Sequence, residues 1–212
     1  MMRKKITRYL ITIAVLLLVA YNSVYFKKLD EVKAAQAALT FNAASYAQKF
    51  WETKLMPGLG KAVEVDSLIP MLAATPVKAF DNYSHALGIG NIRYFLVHGT
   101  GKVTSIDADD ISLSITGLNN QPIKIATEYI FGNAVRDATG LININDFSNT
   151  MDFNNVSAEI NKIIRAKVLP LLKNVKVGNS IAFTGAVELN KEHLSLAQVE
   201  IIPVAINILP QK

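Results

Sequence analysis

A chain of 212 residues that is half hydrophobic, with 22 Lys and Arg, 17 Asp and Glu and no cysteine, can bury a substantial core. It has no thiol for disulfides, thiolate zinc sites or a lipid-modified cysteine. The formal charge of +5 points to nucleic acid only until it is partitioned: residues 1 to 28 hold six basic side chains and no acid, which leaves 16 basic against 17 acidic beyond them, with no overall electrostatic footprint for DNA or RNA.

The first predicted element is the nearly unbroken apolar run from Tyr9 to Phe26. At about eighteen residues it approaches the length needed to span a hydrocarbon core of about 30 Å. Arg3, Lys4, Lys5 and Arg8 precede it and Lys27 and Lys28 follow it, while Tyr9, Tyr21 and Tyr25 lie towards its ends as interfacial aromatics do. A cleaved signal peptide is the alternative, with Leu10 to Ala20 as its h-region, but Leu18 and Tyr21 stand where a cleavage site needs small side chains. The reading is an N-terminal transmembrane helix over residues 1–28. It anchors the chain to the bacterial inner membrane in a single pass, with the C-terminal domain facing the periplasm. Residues 29–41, charged and alanine-rich, form a spacer.

From Asn42 the spacing of Tyr46, Ala47, Phe50, Trp51 and Leu55 predicts a helix that Pro57-Gly58 stops. Trp51, the only tryptophan, reads as a core residue on that face rather than a ligand platform. A second helix is predicted from Asp66 with Leu68, Ile69 and Leu72. A third is capped by Thr75, starts at Pro76 and closes at Gly88. Residues 42–90 form a small helical subdomain.

At Ile92 the period changes to alternation. Arg93 to His98 and Lys102 to Asp107 read as one long strand with a bulge or bend at Gly99-Thr100-Gly101. Ile111, Leu113 and Ile115 alternate with Ser112, Ser114 and Thr116, so one face is buried and the other wet. After an Asn119-Asn120 turn, Ile123 and Ile125 mark a third strand. Tyr129 to Phe147 is neither simple strand nor simple helix. A helix carrying Val156, Ile160, Ile163, Ile164 and Val168 follows, starting near Asn154 or Asn155 with Pro170 beyond its end. Ile181, Phe183, Val187 and Leu189 give a fourth strand. Leu194, Leu196 and the run through Ile208 give a fifth, with Pro203 at an edge or bend. The fold class is therefore α+β: the helical subdomain, then over residues 91–209 a five-stranded OB-like antiparallel barrel with a helix between strands three and four.

Trp51, the run His98-Gly99-Thr100-Gly101-Lys102-Val103, Gly132 with Arg136-Asp137-Ala138, Asp146-Phe147, Asn161 and Gly185 stand in an order and spacing that resembles the bacterial family of predicted periplasmic lipoproteins of unknown function, domain of unknown function 2291. The similarity runs from about Phe41 to Pro203. It implies a helical subdomain fused to an OB-like barrel, an envelope location, and genes for sugar-type ABC transporters nearby. Members commonly carry a lipobox cysteine, which this chain lacks. The family has no established activity, so no catalytic residues carry over.

Gly101-Lys102 is not a phosphate loop, because Leu96 and Val103 occupy the positions of its first glycine and its hydroxyl; Gly88-Ile89-Gly90 lacks the third glycine of a dinucleotide fingerprint. His85, His98 and His193 share no ligand spacing, so neither a metal nor a cofactor is expected. The constellation that stands out is Arg136-Asp137, a charged pair inside an apolar connection, where neither charge is cheap to bury alone. Its structural reading ties Arg136 to backbone carbonyls, Asp146 or Glu128. Its functional reading makes Arg136, Asp137 and Asp146 a site for an anionic or hydroxylated ligand. The expected function is a non-enzymatic, membrane-anchored periplasmic protein that binds a partner, such as ABC transporter components, or a small sugar-like solute, and not nucleic acid. An OB barrel binds ligands on its strand two and three face, which here presents Ser112, Ser114, Thr116 and Lys124. The alternatives are an envelope enzyme using Arg136, Asp137, Asp146 or Asp152, and a purely structural envelope protein.

Overall fold

The computed structural model describes residues 2–23, 41–118 and 121–210. Nearly all of the spacer, the end of the apolar run at Val24, Tyr25 and Phe26, and the Asn119-Asn120 turn lie outside the described residues. The chain forms two compact units, Met1–Phe41 and Asn42–Lys212.

The first unit contains α1, Met2–Ser23. Among the described residues no helix is long and apolar enough to cross a membrane, so the expected transmembrane helix over residues 1–28 is left without support there. Within the described part of the Tyr9–Phe26 run, the stretch from Leu10 to Ala20 rises about 16 Å, against a hydrocarbon core of about 30 Å. Ile11, Ile13, Val15, Leu16, Leu17 and Leu18 are exposed along it.

In the second unit α2, Ala43–Phe50, starts where the Asn42 side chain accepts a hydrogen bond from the Ser45 amide at 2.9 Å. It runs on as a π turn, Trp51–Leu55, that keeps Trp51 and Leu55 on the buried face. At 6% exposure Trp51 is core. α3, Val65–Ala74, and α4, Pro76–Tyr83, follow, with Pro76 in the first turn as expected. The Thr75 hydroxyl donates backwards to the Met71 carbonyl instead of capping α4. α4 ends at Tyr83, before Gly88, because the chain is captured by a strand. Ser84–His85, β2, pairs with Phe95 and Tyr94, while Val63–Glu64, β1, pairs with Val97 and His98.

β3 spans Ile92–Ile106 and pairs with β6, Ser180–Asn190, in unbroken antiparallel register from Ile92 opposite Asn190 to Lys102 opposite Ser180. Gly99-Thr100-Gly101 is thus no bulge. The irregularity lies at Val103 to Ser105, against β4, Asp110–Ser114. The need for glycine at 101 is close approach: a Cβ there would sit 3.0 Å from Leu113 Cβ. β4 pairs antiparallel with β5, Ile123–Ala126. β5 pairs parallel with β7, Val199–Leu209, which begins after Leu194 and Leu196, and β7 pairs antiparallel with β6. The order β3-β4-β5-β7-β6 closes on itself through the β3–β6 pairing.

Phe95, Val97, Leu113, Ile125, Ile181 and Ile201 fill the barrel, and Val65, Leu68, Leu72 and Phe80 of α3 and α4 belong to the same core. Phe80 meets Phe95 edge to face at 5.3 Å. The expected wet face of β4 is partly covered, for Ser112 is only 9% exposed. Lys124 crosses from β5 to bind Asp110 at 2.7 Å, and a long side chain laid along the sheet shields what lies beneath it.

α6, Thr150–Lys167, starts earlier than Asn154. Asn149 is its cap, accepting from the Asp152 amide and donating to the Asp152 carboxylate, both at 2.8 Å. The short α7, Leu169–Leu172, follows with Pro170 in its first turn. α2 packs against α6.

The β6–β7 register shifts between Thr184 and Gly185, opposite Pro203, leaving Val204 as the extra residue of a bulge. A Cβ on Gly185 would stand 2.5 Å from both Ile201 Cγ2 and the Ile202 carbonyl oxygen. Because one obstacle is backbone, Gly185→Ala is expected to destabilise the barrel by about 1–3 kcal/mol, as overpacking does. Urea denaturation should show a lower midpoint with an unchanged slope.

Candidate functional site

The connection from β5 to α6 passes over the outside of the barrel and carries one helical turn, α5, Ala134–Asp137, with all four residues buried. One face of α6 holds it there. Asn154, Ser157, Asn161 and Arg165 follow helical spacing. The Ser157 hydroxyl donates to the Asn133 side chain at 2.9 Å, the Asn161 amide to the Gly132 carbonyl at 3.0 Å, and the Arg165 guanidinium to the Ile130 carbonyl. Backbone groups left without a ladder partner are thereby satisfied.

Arg136 and Asp137 are each 3% exposed and bind one another. Arg136 Nε donates to Asp137 Oδ1 at 2.6 Å and Nη2 to Oδ2 at 2.9 Å, a two-pronged fork. Nη1 reaches the Phe153 carbonyl at 3.1 Å and the Asn154 side chain at 3.5 Å, and the guanidinium lies 3.5 Å over the Phe153 ring. Phe153 in turn stacks edge to face on Phe147, and Phe147 on Tyr46, each at 5.1 Å. Asp146 and Glu128, considered as partners from sequence, are replaced by the adjacent Asp137. Asp146 is exposed on the 3-10 turn Ile144–Asp146, where its charge adds to burial in raising the Tyr46 hydroxyl pKa. Asp152 serves the α6 cap. Of the sequence-derived site residues, Arg136 and Asp137 come together and Asp146 stands apart from the cleft.

That cleft, with a volume of ≈ 320 Å³, is lined by Ile89, Tyr94, Asn133, Arg136, Asp137 and Asn154 among others. Tyr94 sits directly opposite Glu188 in the β3–β6 register, and Asn133 shares its cleft wall. Burial pushes the Asp137 carboxyl up, opposed in part by the hydrogen bond and charge of Arg136. Burial and then the Asp137 charge raise Glu188. Burial, then Glu188 and Asp137, raise Tyr94, with Arg136 and Asn133 opposing. A carboxyl raised in the folded state keeps a proton that the unfolded chain has released, so its contribution is fullest in acid and is lost as pH rises through the folded value. Stability is therefore expected to fall as the pH rises above the ordinary carboxylate range of about 4, with a shallower slope in Glu188→Gln, read by urea unfolding from acid upward.

On the barrel face expected from strands two and three, Lys124 is neutralised by Asp110. Asp110 Oδ1 is buried without a protein partner, and burial followed by the Asp110 charge raises Glu200. His98 faces Glu64 at 3.4 Å. Among the described residues no cluster of three or more His, Asp or Glu could hold a metal ion. Tyr94, Asn133, Phe153, Asn154 and Glu188 escaped the sequence reading. Only the outward parity of Tyr94 and Glu188 in their strands hinted at them, and that hint needs the register to become a contact.

A closed five-stranded barrel with its third and fifth strands parallel and a helix between the third and fourth is an OB fold. A crystal structure described as an OB-fold protein from Thermotoga maritima is similar to this chain, with a TM-score of 0.73 and 26% identity over 80% of this chain and 99% of that one. The chain belongs to the family DUF2291, described as predicted periplasmic lipoprotein, whose profile matches residues 14–207. No curated protein matches it.

Proposed function

We propose that this chain is a membrane-associated periplasmic binding protein without a catalytic step, and that it holds a small hydroxylated solute in the cleft beside Arg136 and Asp137. The observation that carries the reading is the fork between these two buried side chains. The guanidinium has already spent most of its donors on Asp137, Phe153 and Asn154, so a bidentate grip on an anion is poorly supported. Asp137 keeps unused acceptor lone pairs, and the amides of Asn133 and Asn154 stand beside it on the cleft wall. With Glu188 nearby, the cluster carries two carboxylates against one guanidinium, which favours hydroxyl donors over carboxylates or phosphates.

The family description supports the compartment. In this reading the basic start and exposed apolar side chains of α1 hold the chain at the cytoplasmic membrane. Protease added to intact spheroplasts then digests the Asn42–Lys212 unit; protection of that unit overturns the topology. The acids Asp107, Asp110 and Glu200 around Lys124 on the β4–β5–β7 face make a poor match to a phosphate backbone, consistent with a partner other than nucleic acid. Presentation of the solute to an ABC transporter is the further part of the proposal, and crosslinking in intact membranes that recovers no transporter subunit counts against it.

The solute reading is tested by thermal unfolding of the full chain against a panel of neutral sugars and polyols and, separately, of carboxylates and phosphates. A concentration-dependent rise in Tm with a hydroxylated compound supports it. A rise that survives Asn133→Ala and Asn154→Ala unchanged places the ligand elsewhere, and no rise with either panel favours a purely structural role.

A further inference from the structure

Beyond the cleft, a different surface joins exposed rings to a concentration of positive charge. Ile130 is buried, and its carbonyl accepts from Arg165 near the end of α6. The residues on either side therefore project outward from a pinned backbone. Tyr129 is 61% and Phe131 68% exposed, with their rings edge to face at 6.5 Å. Leu171 on α7 and Val177 beyond it are also exposed, at 49% and 62%. Thr127, Glu128, Arg165, Leu169 and Lys173 line one shared cleft of ≈ 450 Å³, which places the start of the connection beside the α6–α7 corner. Residues 160–179 hold Lys162, Arg165, Lys167, Lys173 and Lys176 and no acid, whereas the rest of the chain beyond residue 28 holds 11 basic against 17 acidic side chains. Lys162 is paired with Glu159, while Lys167, Lys173 and Lys176 are exposed.

We propose that this corner, with Tyr129, Phe131 and Leu171 as its apolar contacts and Lys167, Lys173 and Lys176 as its cations, docks on the surface of an anionic lipid bilayer. Amphipathic rings settle at the level of the headgroups, and basic side chains beside them add electrostatic attraction to anionic lipid that salt weakens. The exposed aliphatic side chains separate this surface from one built for nucleic acid: rings could stack on bases and lysines meet phosphates, but Leu171 and Val177 would gain nothing there, whereas both gain by entering the interface. Docking would orient the Asn42–Lys212 unit on its membrane.

Because the chain contains no cysteine, single substitutions can carry a reporter. Phe131→Cys and, as a control on α4, Val77→Cys at a position 63% exposed, are each labelled in the full-length protein with an environment-sensitive fluorophore. Thermal unfolding confirms that both fold. Each is mixed with vesicles of phosphatidylglycerol and phosphatidylcholine, or of phosphatidylcholine alone. The expected result is a blue shift at position 131 with the anionic vesicles, quenched by brominated lipid, reversed by salt and absent at position 77. Changing Lys167, Lys173 and Lys176 together to Glu should weaken the vesicle dependence of that shift by on the order of a hundredfold. An equal shift at both positions, an equal shift with phosphatidylcholine alone, or a response to oligonucleotide in place of vesicles overturns the proposal.

Discussion

Arg136→Ala is expected to lower the unfolding free energy at neutral pH by about 3–5 kcal/mol, the loss typical when one partner of a buried ion pair is removed. In a domain whose total stability is on the order of 5–15 kcal/mol, that is a large fraction. The loss arises because Asp137, 3% exposed, keeps its desolvation and loses both prongs of its fork, while the Phe153 carbonyl loses its donor. Two further measurements identify the cause. Without Arg136, the Asp137 carboxyl rises further and is carried protonated, so the deficit should shrink as the pH is lowered towards about 4, since the folded state then gains by holding the proton. Replacing both residues by Leu should restore much of the stability, because no uncompensated charge is left. A deficit that is independent of pH and equal in the single and double variants would show that packing, not charge, is what Arg136 provides.

Phe153→Ala is expected to cost about 3–5 kcal/mol, as for other buried rings, and to act on the site as well as on the core. Phe153 is 2% exposed, meets Phe147 at 5.1 Å and carries the Arg136 guanidinium 3.5 Å above its ring. Its removal therefore opens a cavity between α2 and α6 and unseats the fork at once. Phe153→Leu keeps most of the volume and loses the aromatic face. The residual deficit, about 0.5–2 kcal/mol, then measures the cation–π contact, and a double-mutant cycle with Arg136→Met isolates the coupling between the two side chains. A coupling near zero would mean that ring and guanidinium are neighbours without being energetically linked.

The two variants also separate the structural from the binding role of the cleft. If the proposed solute is held by the lone pairs of Asp137, Phe153→Leu should weaken its effect on Tm by loosening Arg136. Asn149→Ala, which removes the α6 cap at the far side of Phe153, should lower stability by about 1 kcal/mol and leave the ligand response intact.

Local chemistry settled the order of elements. The change of period at Ile92 marks where helices give way to strands. Alternation at Ile111 and Leu113 gave the inward face of β4, with Ile115 just beyond it, and Pro203, expected at an edge or bend, stands at the β6–β7 bulge. Three strands, a helix and two strands were enough to name the barrel, because strand order follows from short connections and from one long crossover. Arg136-Asp137 was visible for the same kind of reason: charge inside an apolar stretch is expensive and must have a purpose.

What sequence could not supply was anything set by contact between distant segments. Gly99-Thr100-Gly101 looks like a break in isolation, yet eleven consecutive β3–β6 pairs pass straight through it. The glycines answer a neighbour's side chain, which no local rule contains. Asn149 rather than Asn154 or Asn155 begins α6, since these residues offer the same cap chemistry and local sequence does not choose between them. The partners of Arg136 were sought at backbone carbonyls, Asp146 or Glu128; the guanidinium does reach the Phe153 carbonyl, but its charged partner is next door at Asp137, because burial of the turn brings the two side chains onto one fork. By itself, then, the sequence determined which segments are helix or strand, the barrel class, and the pair of charges that had to be accommodated. Tertiary structure alone decided which side chains meet, since hydrogen bonds, cavities and desolvation depend on distances between residues far apart in the chain.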